Sequence, residues 1–365
     1  MNTAKDIAVE VSGLTKTFGP VVAVDSIDLT IDSGTYFALL GPSGGGKTTL
    51  LRLIGGFARP SAGRVLLHGH DVGALPPDKR PTSMVFQSYA LFPHMSVERN
   101  VAYGLKINKL PRDQIRDTVN RMLELVGLED LNERMPHELS GGQQQRVQLA
   151  RSLVLERDIL LLDEPLASLD AKLRKDMCIE LKRIQEKVGI TFIHVTHNQE
   201  EAMTIADRIA IIADGRLVEE GTARDIYETP QKRFTADFIG DNNVLDGFVA
   251  GTSGERVTVD LDFAKVDVIS PNVTAAVGDT VSFSVRSELL RVIDPAAVDG
   301  AWQAVPATYL ETIYLGLTTS HLVSLPDGNE VVARMISDDR GNGGYEAGQA
   351  VTVGWPTDRA RLHVA

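Results

Sequence analysis

The sequence predicts an α/β domain of the P-loop type followed by a smaller all-β domain, and three observations carry that reading. The stretch from Gly34 to Thr49, GTYFALLGPSGGGKTT, runs from an apolar strand through a glycine-rich turn into a helix. A second apolar strand, in DILLLDEP at 158–165, ends in two adjacent carboxylates. Beyond Gly240 helical periodicity fades into short alternating runs, the pattern of a small β-barrel or sandwich.

The first of these is the centre of the chain. Tyr36 to Leu40 is wholly apolar, as a parallel strand covered on both faces must be. Strand, GxxxxGKT and helix in that order form the context in which the motif binds phosphate. Gly44, Gly45 and Gly46 can take positive φ, so successive backbone N–H groups converge on one anion. Lys47 is placed to reach the β- and γ-phosphates and Thr48 to ligate Mg²⁺. The positive end of the helix beginning near Lys47 adds to the field.

The remaining elements follow in chain order. IAVEVSGL and VVAVDSIDLTI alternate apolar and polar residues around Phe18-Gly19-Pro20, which predicts a hairpin. Phe18 either stacks on a nucleobase or plugs the core beneath it. ARPSAGRVLLHGHDV reads as a turn and a strand pair, and PPDKR as a loop. A strand over Met84–Phe86 should end at Gln87, where the amide either binds Mg²⁺ or a water, or simply ends the strand. Spacing becomes helical from Ser96, a candidate N-cap, to about Arg134. Ser140-Gly141-Gly142 precedes a helix starting near Gln143, which is either an anion-receptive terminus or only a good helix start.

The strand in DILLLDEP brings Asp163 to the position that holds Mg²⁺ in P-loop enzymes, with Glu164 beside it to accept a proton from water. A helix with a basic face and then the strand ITFIHVT follow. His194 lies within that strand and reads as packed, whereas His197 lies at its end, within reach of a γ-phosphate. DRIAIIADGRLVEEG closes the region as a hairpin turning at Asp214-Gly215. Among the aromatic residues of the tail, Trp302, Trp355 and Tyr314 are expected in the core or at a barrel end.

Composition bounds the rest. A chain of 365 residues can hold two domains, and 43% hydrophobic with 24% charged residues describes a globular protein, not a disordered one. No apolar run reaches the ~18 residues of a membrane span. The N-terminus shows no basic segment followed by an apolar core, so no signal peptide is expected. One cysteine, Cys178, precludes an intrachain disulfide, fits a reducing compartment and reads as a packed helix residue. A net charge of −12 argues against a nucleic-acid partner. That charge is uneven: 17 acidic and 8 basic residues follow Gly240, carrying −9 of the total.

GPSGGGKTT, Gln87 after a strand, LSGGQQQR, LLLDEP, SLD and THNQEEA occur in the order found in the ATP-binding-cassette (ABC) ATPases, which the chain resembles over about residues 7–235. The resemblance implies a RecA-like core, an antiparallel β subdomain and a helical subdomain at about 88–155, together spanning 1–238. A β-rich, OB-like transport-associated (TOBE) regulatory domain then spans 239–365. It implies ATP and Mg²⁺, with Phe18 on adenine, Gly41, Pro42, Ser43, Gly44, Gly45, Gly46, Lys47, Thr48 and Thr49 on the phosphates, and Thr48, Gln87 and Asp163 on the metal. Glu164 would polarise the attacking water and His197 hold the γ-phosphate. Ser140, Gly141, Gly142 and Gln143 would cap a nucleotide held by a second copy in a head-to-tail, ATP-dependent dimer, and Asp170 would communicate across it.

The resemblance further implies two transmembrane permease subunits and a periplasmic or extracellular solute-binding protein acting through them. The chain would then sit peripherally on the cytoplasmic face of the plasma membrane. A groove near Tyr89 to Val97 would receive a permease helix. The junction FTADFIGDNNVLDG is more similar to polyamine-type than to sugar-type import ATPases. The alternatives are an importer ATPase for sugar, iron or another small solute, and a non-transport ABC ATPase. A single cassette with no coiled-coil insert or basic patch speaks against the last.

Overall fold

The computed structural model describes residues 6–88, 90–270, 275–294, 301–337 and 344–364. The chain divides into two compact units, 1–223 and 224–365. In the first, β1 (Ile7–Phe18) and β2 (Val21–Asp32) form the expected hairpin. With β4 (Ala62–Leu67) and β5 (His70–Asp71) they make an antiparallel sheet of order β2-β1-β4-β5. Alternation along these strands puts Val9, Val11, Ile27, Leu29 and Ile31 on one buried face. That face shares a core with Leu50, Leu51, Leu53 and Ile54 of α1 (Lys47–Gly55), the helix after the glycine-rich loop.

The second sheet is the platform of the site. It contains β3 (Tyr36–Leu40), β6 (Thr82–Val85), β7 (Ile159–Asp163), β8 (Thr191–Thr196), β9 (Arg208–Ala213) and β10 (Arg216–Gly221) in the order β10-β9-β3-β8-β7-β6. All neighbours run parallel except β9 and β10, a hairpin turning at Asp214 and Gly215 with φ +49° and +76°. β3, β7 and β8 are buried at every position, which is what helices on both faces of a parallel sheet require. β6 stops at Val85 and does not continue to Phe86. Beyond Val85 the Phe86 carbonyl accepts from the Gln148 side chain, so Gln87 lies on a loop two residues past the strand.

The helical insert comprises α2 (Val97–Ile107), α3 (Arg112–Leu125) and α4 (Gly141–Leu153). Ser96 caps α2 as expected. α4 starts at Gly141, slightly earlier than predicted, because Ser140 and Gln143 close a reciprocal capping box. These helices share a core with α5 (Ala171–Val188) around Val101, Val119, Leu123, Val147 and Leu181. α6 (Gln199–Ile205) follows β8.

In the second unit, α7 (Ala223–Glu228) and α8 (Arg233–Phe238) lead into antiparallel strands. β11 (Asn242–Ser253), β12 (Arg256–Asp260), β13 (Lys265–Ile269), β14 (Thr280–Arg286) and β20 (Arg361–Val364) form one sheet, ordered β13-β12-β11-β14-β20. β15 (Arg291–Ile293), β16 (Trp302–Tyr314), β17 (Thr318–Ser324), β18 (Glu330–Ile336) and β19 (Ala350–Pro356) form the other, ordered β15-β19-β16-β17-β18. Both sheets feed one core that includes Phe283, Tyr309, Val323 and Trp355. Trp302 is half-buried, and Tyr314 is 72% exposed. Of the two places expected for Tyr314, the core is excluded: it is the last residue of β16, at an end of its sheet next to the Leu315–Leu317 turn.

Two buried polar groups in the first unit generate tests. Arg80 is 1% exposed, and its guanidinium donates to Leu53 O at 2.7 Å, Ile54 O at 2.8 Å and Leu75 O at 3.0 Å. Two of these carbonyls end α1, where a cation also opposes the negative end of the helix dipole. Arg80→Ala is expected to destabilise the first unit by about 2–4 kcal/mol in urea unfolding, because it strands buried carbonyls. Cys178 is buried, and desolvation pushes its thiol up to about 12. At pH 8 it stays protonated, so a thiol reagent should label the native chain at least ~100-fold more slowly than the urea-unfolded chain. Equal rates would overturn the burial.

Candidate functional site

The carboxyl ends of β3, β7 and β8 lie side by side, and the candidate residues gather on the loops that leave them. The Gly41–Gly46 loop is pressed between two other strands. A Cβ on Gly46, which has φ +101°, would lie 2.4 Å from Ala23 O of β2. One on Gly41 would lie 2.0 Å from Ile212 O of β9. Only glycine fits either place. The loop is fixed internally by Gly45 N–H donating to Pro42 O, and externally by Gly215 N–H donating to Gly45 O at 3.0 Å. Ser43 and Gly44 stay exposed at its mouth, and Thr49 continues into α1.

Lys47 is 4% exposed, and its ammonium donates to Gly41 O and Pro42 O, both at 2.8 Å. Burial lowers its pKa, and the Glu164 carboxylate opposes that shift. A cation held by neutral carbonyls leaves positive charge available to an anion on the loop. Thr48 Oγ1 donates to Asp163 Oδ1 at 2.8 Å. The other oxygen of Asp163 lies 3.6 Å from Arg52 Nη2. Arg52 was not anticipated, although its position one turn after Thr48 on α1 is the signal that could have found it.

Glu164 follows β7 with φ +45°, a conformation uncommon for a non-glycine residue. Its N–H donates to Val195 O at 3.1 Å, and its side chain is bracketed. Gln87 Nε2 donates to Glu164 Oε2 at 3.3 Å, and His197 Nδ1 lies 3.3 Å from Glu164 Oε1. Lys47, Thr48, Gln87, Asp163, Glu164 and His197 thus form one cluster at the carboxyl ends of four strands, β3, β6, β7 and β8. His194 is packed as expected, fully buried with Nδ1 2.9 Å from the Tyr36 hydroxyl.

Other candidates lie on separate segments. Phe18 is 53% exposed at the end of β1, with Lys16 Nζ 4.8 Å from the ring centre, so it fills no core. Ser140 and Gln143 satisfy each other in the capping box, leaving the start of α4 open at Gly141. Asp170 caps α5, accepting from Leu173 N–H at 3.0 Å. Of the expected groove at 89–97, Tyr89 lies outside the described residues. The rest is organised by Asn100, which sequence reasoning passed over. Its buried side chain accepts from Phe92 N–H and donates to the carbonyls of Phe92, Met95 and Ser96.

Comparison with known proteins places this geometry. The ABC transporter family profile matches residues 24–167, and the TOBE domain profile matches residues 283–362. The spermidine/putrescine import ATP-binding protein PotA of Rubrobacter xylanophilus is 45% identical over 353 residues, covering 96% of this chain and 92% of that protein. The chain belongs to the ABC transporter family, as one of its ATPases. The PotA proteins of Marinobacter nauticus and Ruegeria pomeroyi are 44% and 45% identical over 96% and 94% of this ABC ATPase, covering 94% and 92% of those proteins.

Among solved structures, cbiO1 from Clostridium perfringens, part of the ABC transporter complex cbiONQ, aligns with a TM-score of 0.57 and 31% identity over 61% of this chain and 91% of its own. The dimeric, post-hydrolysis cassette MJ0796 bound to ADP and Pi aligns at 0.53 and 31% over 59% and 99%. The dependence of the glycine-rich loop on glycine can be measured. Gly46→Ala should weaken ATP binding by at least ~10-fold in nucleotide titration while the chain stays folded, since a Cβ must displace the loop or β2. Wild-type affinity in that variant would remove the steric argument.

Proposed function

We propose that this chain is the ATP-hydrolysing, energy-coupling subunit of an importer whose solute is a polyamine such as spermidine or putrescine. The observation that carries the reading is the cluster in which Glu164 is held between Gln87 and His197 beside the Thr48–Asp163 pair. The names of the relatives at 42–45% identity support the solute class.

Lys47 and backbone N–H groups of the loop from Gly41 to Thr49, in which Pro42 has none, hold the phosphates, with the adenine ring on exposed Phe18. Thr48, Asp163 and Gln87 supply oxygen donors for Mg²⁺. Among the described residues no group of three or more His, Cys, Asp or Glu is arranged to hold a metal. That suits Mg²⁺, which takes few protein ligands and keeps most of its coordination for water and phosphate oxygens. When bound, Mg²⁺ neutralises charge on the phosphates. Glu164 orients and deprotonates the attacking water, and His197 fixes the γ-phosphate. Phosphoryl transfer needs positioning and charge stabilisation above all, which a cluster of fixed side chains provides.

Ser140 to Gln143 present the start of α4 to nucleotide on a second copy, with Asp170 facing across the same head-to-tail dimer. Each copy then drives one of two permease subunits served by a solute-binding protein. Among the described residues no helix is long and apolar enough to cross a membrane. In this reading the chain attaches peripherally at the cytoplasmic face, with the Asn100-organised loop as part of the contact. The catalytic cassette functionally ends at 238, just before β11, with its helical part over about 88–155 and a regulatory tail from 239.

Glu164→Gln keeps shape and removes the base. Turnover should fall ~10²–10⁴-fold while ATP affinity holds, and an ATP-bound dimer should appear in size-exclusion chromatography. Wild-type turnover would sink Glu164 as the base. Affinity purification from solubilised membranes should recover permease subunits. A companion binding protein that takes sugar or iron and not polyamine would replace the solute while leaving the ATPase reading intact.

A further inference from the structure

β6 is the edge strand of the parallel sheet, so carbonyls on its outer side lack a strand partner. One face of α4 covers the Met84 carbonyl and those of the loop that follows β6. Ser152 Oγ lies 3.4 Å from Met84 O, Gln148 Nε2 donates to Phe86 O at 2.9 Å and Ser88 O at 3.1 Å, and Arg151 Nη1 donates to Ala90 O at 2.7 Å. Four alternate carbonyls, from 84 to 90, are therefore served by three side chains of one helix.

Gln148 holds the middle of this row. It is 3% exposed, and its amide nitrogen bonds the two carbonyls that flank Gln87. The Gln87 side chain meanwhile reaches Glu164 at 3.3 Å. A primary amide has two N–H groups, and both are committed here. The same helix begins at the Ser140–Gln143 capping box, about 12 Å away along its axis at 1.5 Å per residue. The i to i−4 hydrogen bonds of a helix make it stiff along its axis, so a displacement at one end is carried to the other.

We propose that Gln148 is a positioning residue: it clamps the backbone on both sides of Gln87 and, through α4, couples the place of Gln87 to that of the Ser140–Gln143 turn. A shift of the Gln87 loop toward or away from Glu164 then carries the turn with it, and movement of the turn is felt at Glu164. The inference rests on the proposed place of Gln87 in the hydrolytic site.

Gln148→Met keeps length and packing but has no donor, and Gln148→Lys restores donors on a stem of similar reach. In the full chain, hydrogen exchange of peptides spanning Gln87 should accelerate in Q148M while those from the middle of α5 do not change. The kcat for ATP should fall about tenfold with KM within twofold, since displacing a positioned group costs turnover more than binding. Q148K should recover most of both effects. Unchanged exchange and kcat in Q148M would overturn the proposal. So would a fall in kcat matched by a rise in KM and a lower Tm that Q148K fails to repair, the signature of a residue serving only the fold. Gln87→Ala separates the two levels of the argument. Wild-type turnover in Q87A overturns the role of Gln87 and the coupling with it, whereas low turnover in Q87A beside wild-type turnover in Q148M overturns the coupling alone.

Discussion

The hydrogen bond from Thr48 to Asp163 joins groups 115 residues apart and fixes the geometry on which the site depends. Thr48 follows β3 and Asp163 ends β7, with β8 between them. Adjacent strands lie about 4.8 Å apart, so the two strand ends are separated by roughly 10 Å of backbone. The Gly41–Gly46 loop must bring the start of α1 across that gap while passing tightly under Ile212 and Ala23. A bulkier loop would lift the helix and part the two oxygens. The antiparallel sheet that packs on α1 is thus a constraint on the site as well as a source of buried area.

Electrostatics at the loop follow from what is left unpaired. Lys47 gives up solvent for two carbonyls, which satisfy hydrogen bonding but not charge. Asp163 is shared between a hydroxyl and the more distant Arg52 guanidinium, so it stays an available oxygen donor. Glu164, in its left-handed conformation, turns its carboxylate away from the β7 direction toward Gln87 and His197. Backbone strain at a single residue thus accompanies the meeting of three polar side chains from three strand ends.

Much of this was legible because the signals are local. An apolar run such as Tyr36–Leu40 or Ile159–Asp163 can only be a covered strand, and the residues at its end inherit a place at the sheet's edge. Asp214-Gly215 announced its turn through two residues that tolerate positive φ. Arg80, Asn100 and Gln148 were not legible, because each binds backbone carbonyls, and every residue has one. A buried side chain that recognises main chain leaves no complementary mark in the sequence. The end of β6 was misplaced for the same reason, since the partner that takes over the Phe86 carbonyl lies 62 residues away. For Tyr314 the choice between core and strand end stayed open, because aromatic content predicts burial on average, while its position at the end of β16, beside a turn, leaves it exposed.

The loop at 92–96 is held by the neutral amide of Asn100, through one acceptor and several donor contacts, all to main chain. No formal charge takes part in those bonds. Salt screens exposed ion pairs over about 10 Å at 0.1 M, but it has little hold on a buried amide–carbonyl set. These bonds are therefore decoupled from ionic strength. A cell that swells, dries or floods with potassium changes the charge atmosphere around the chain while leaving the Asn100 contacts the same.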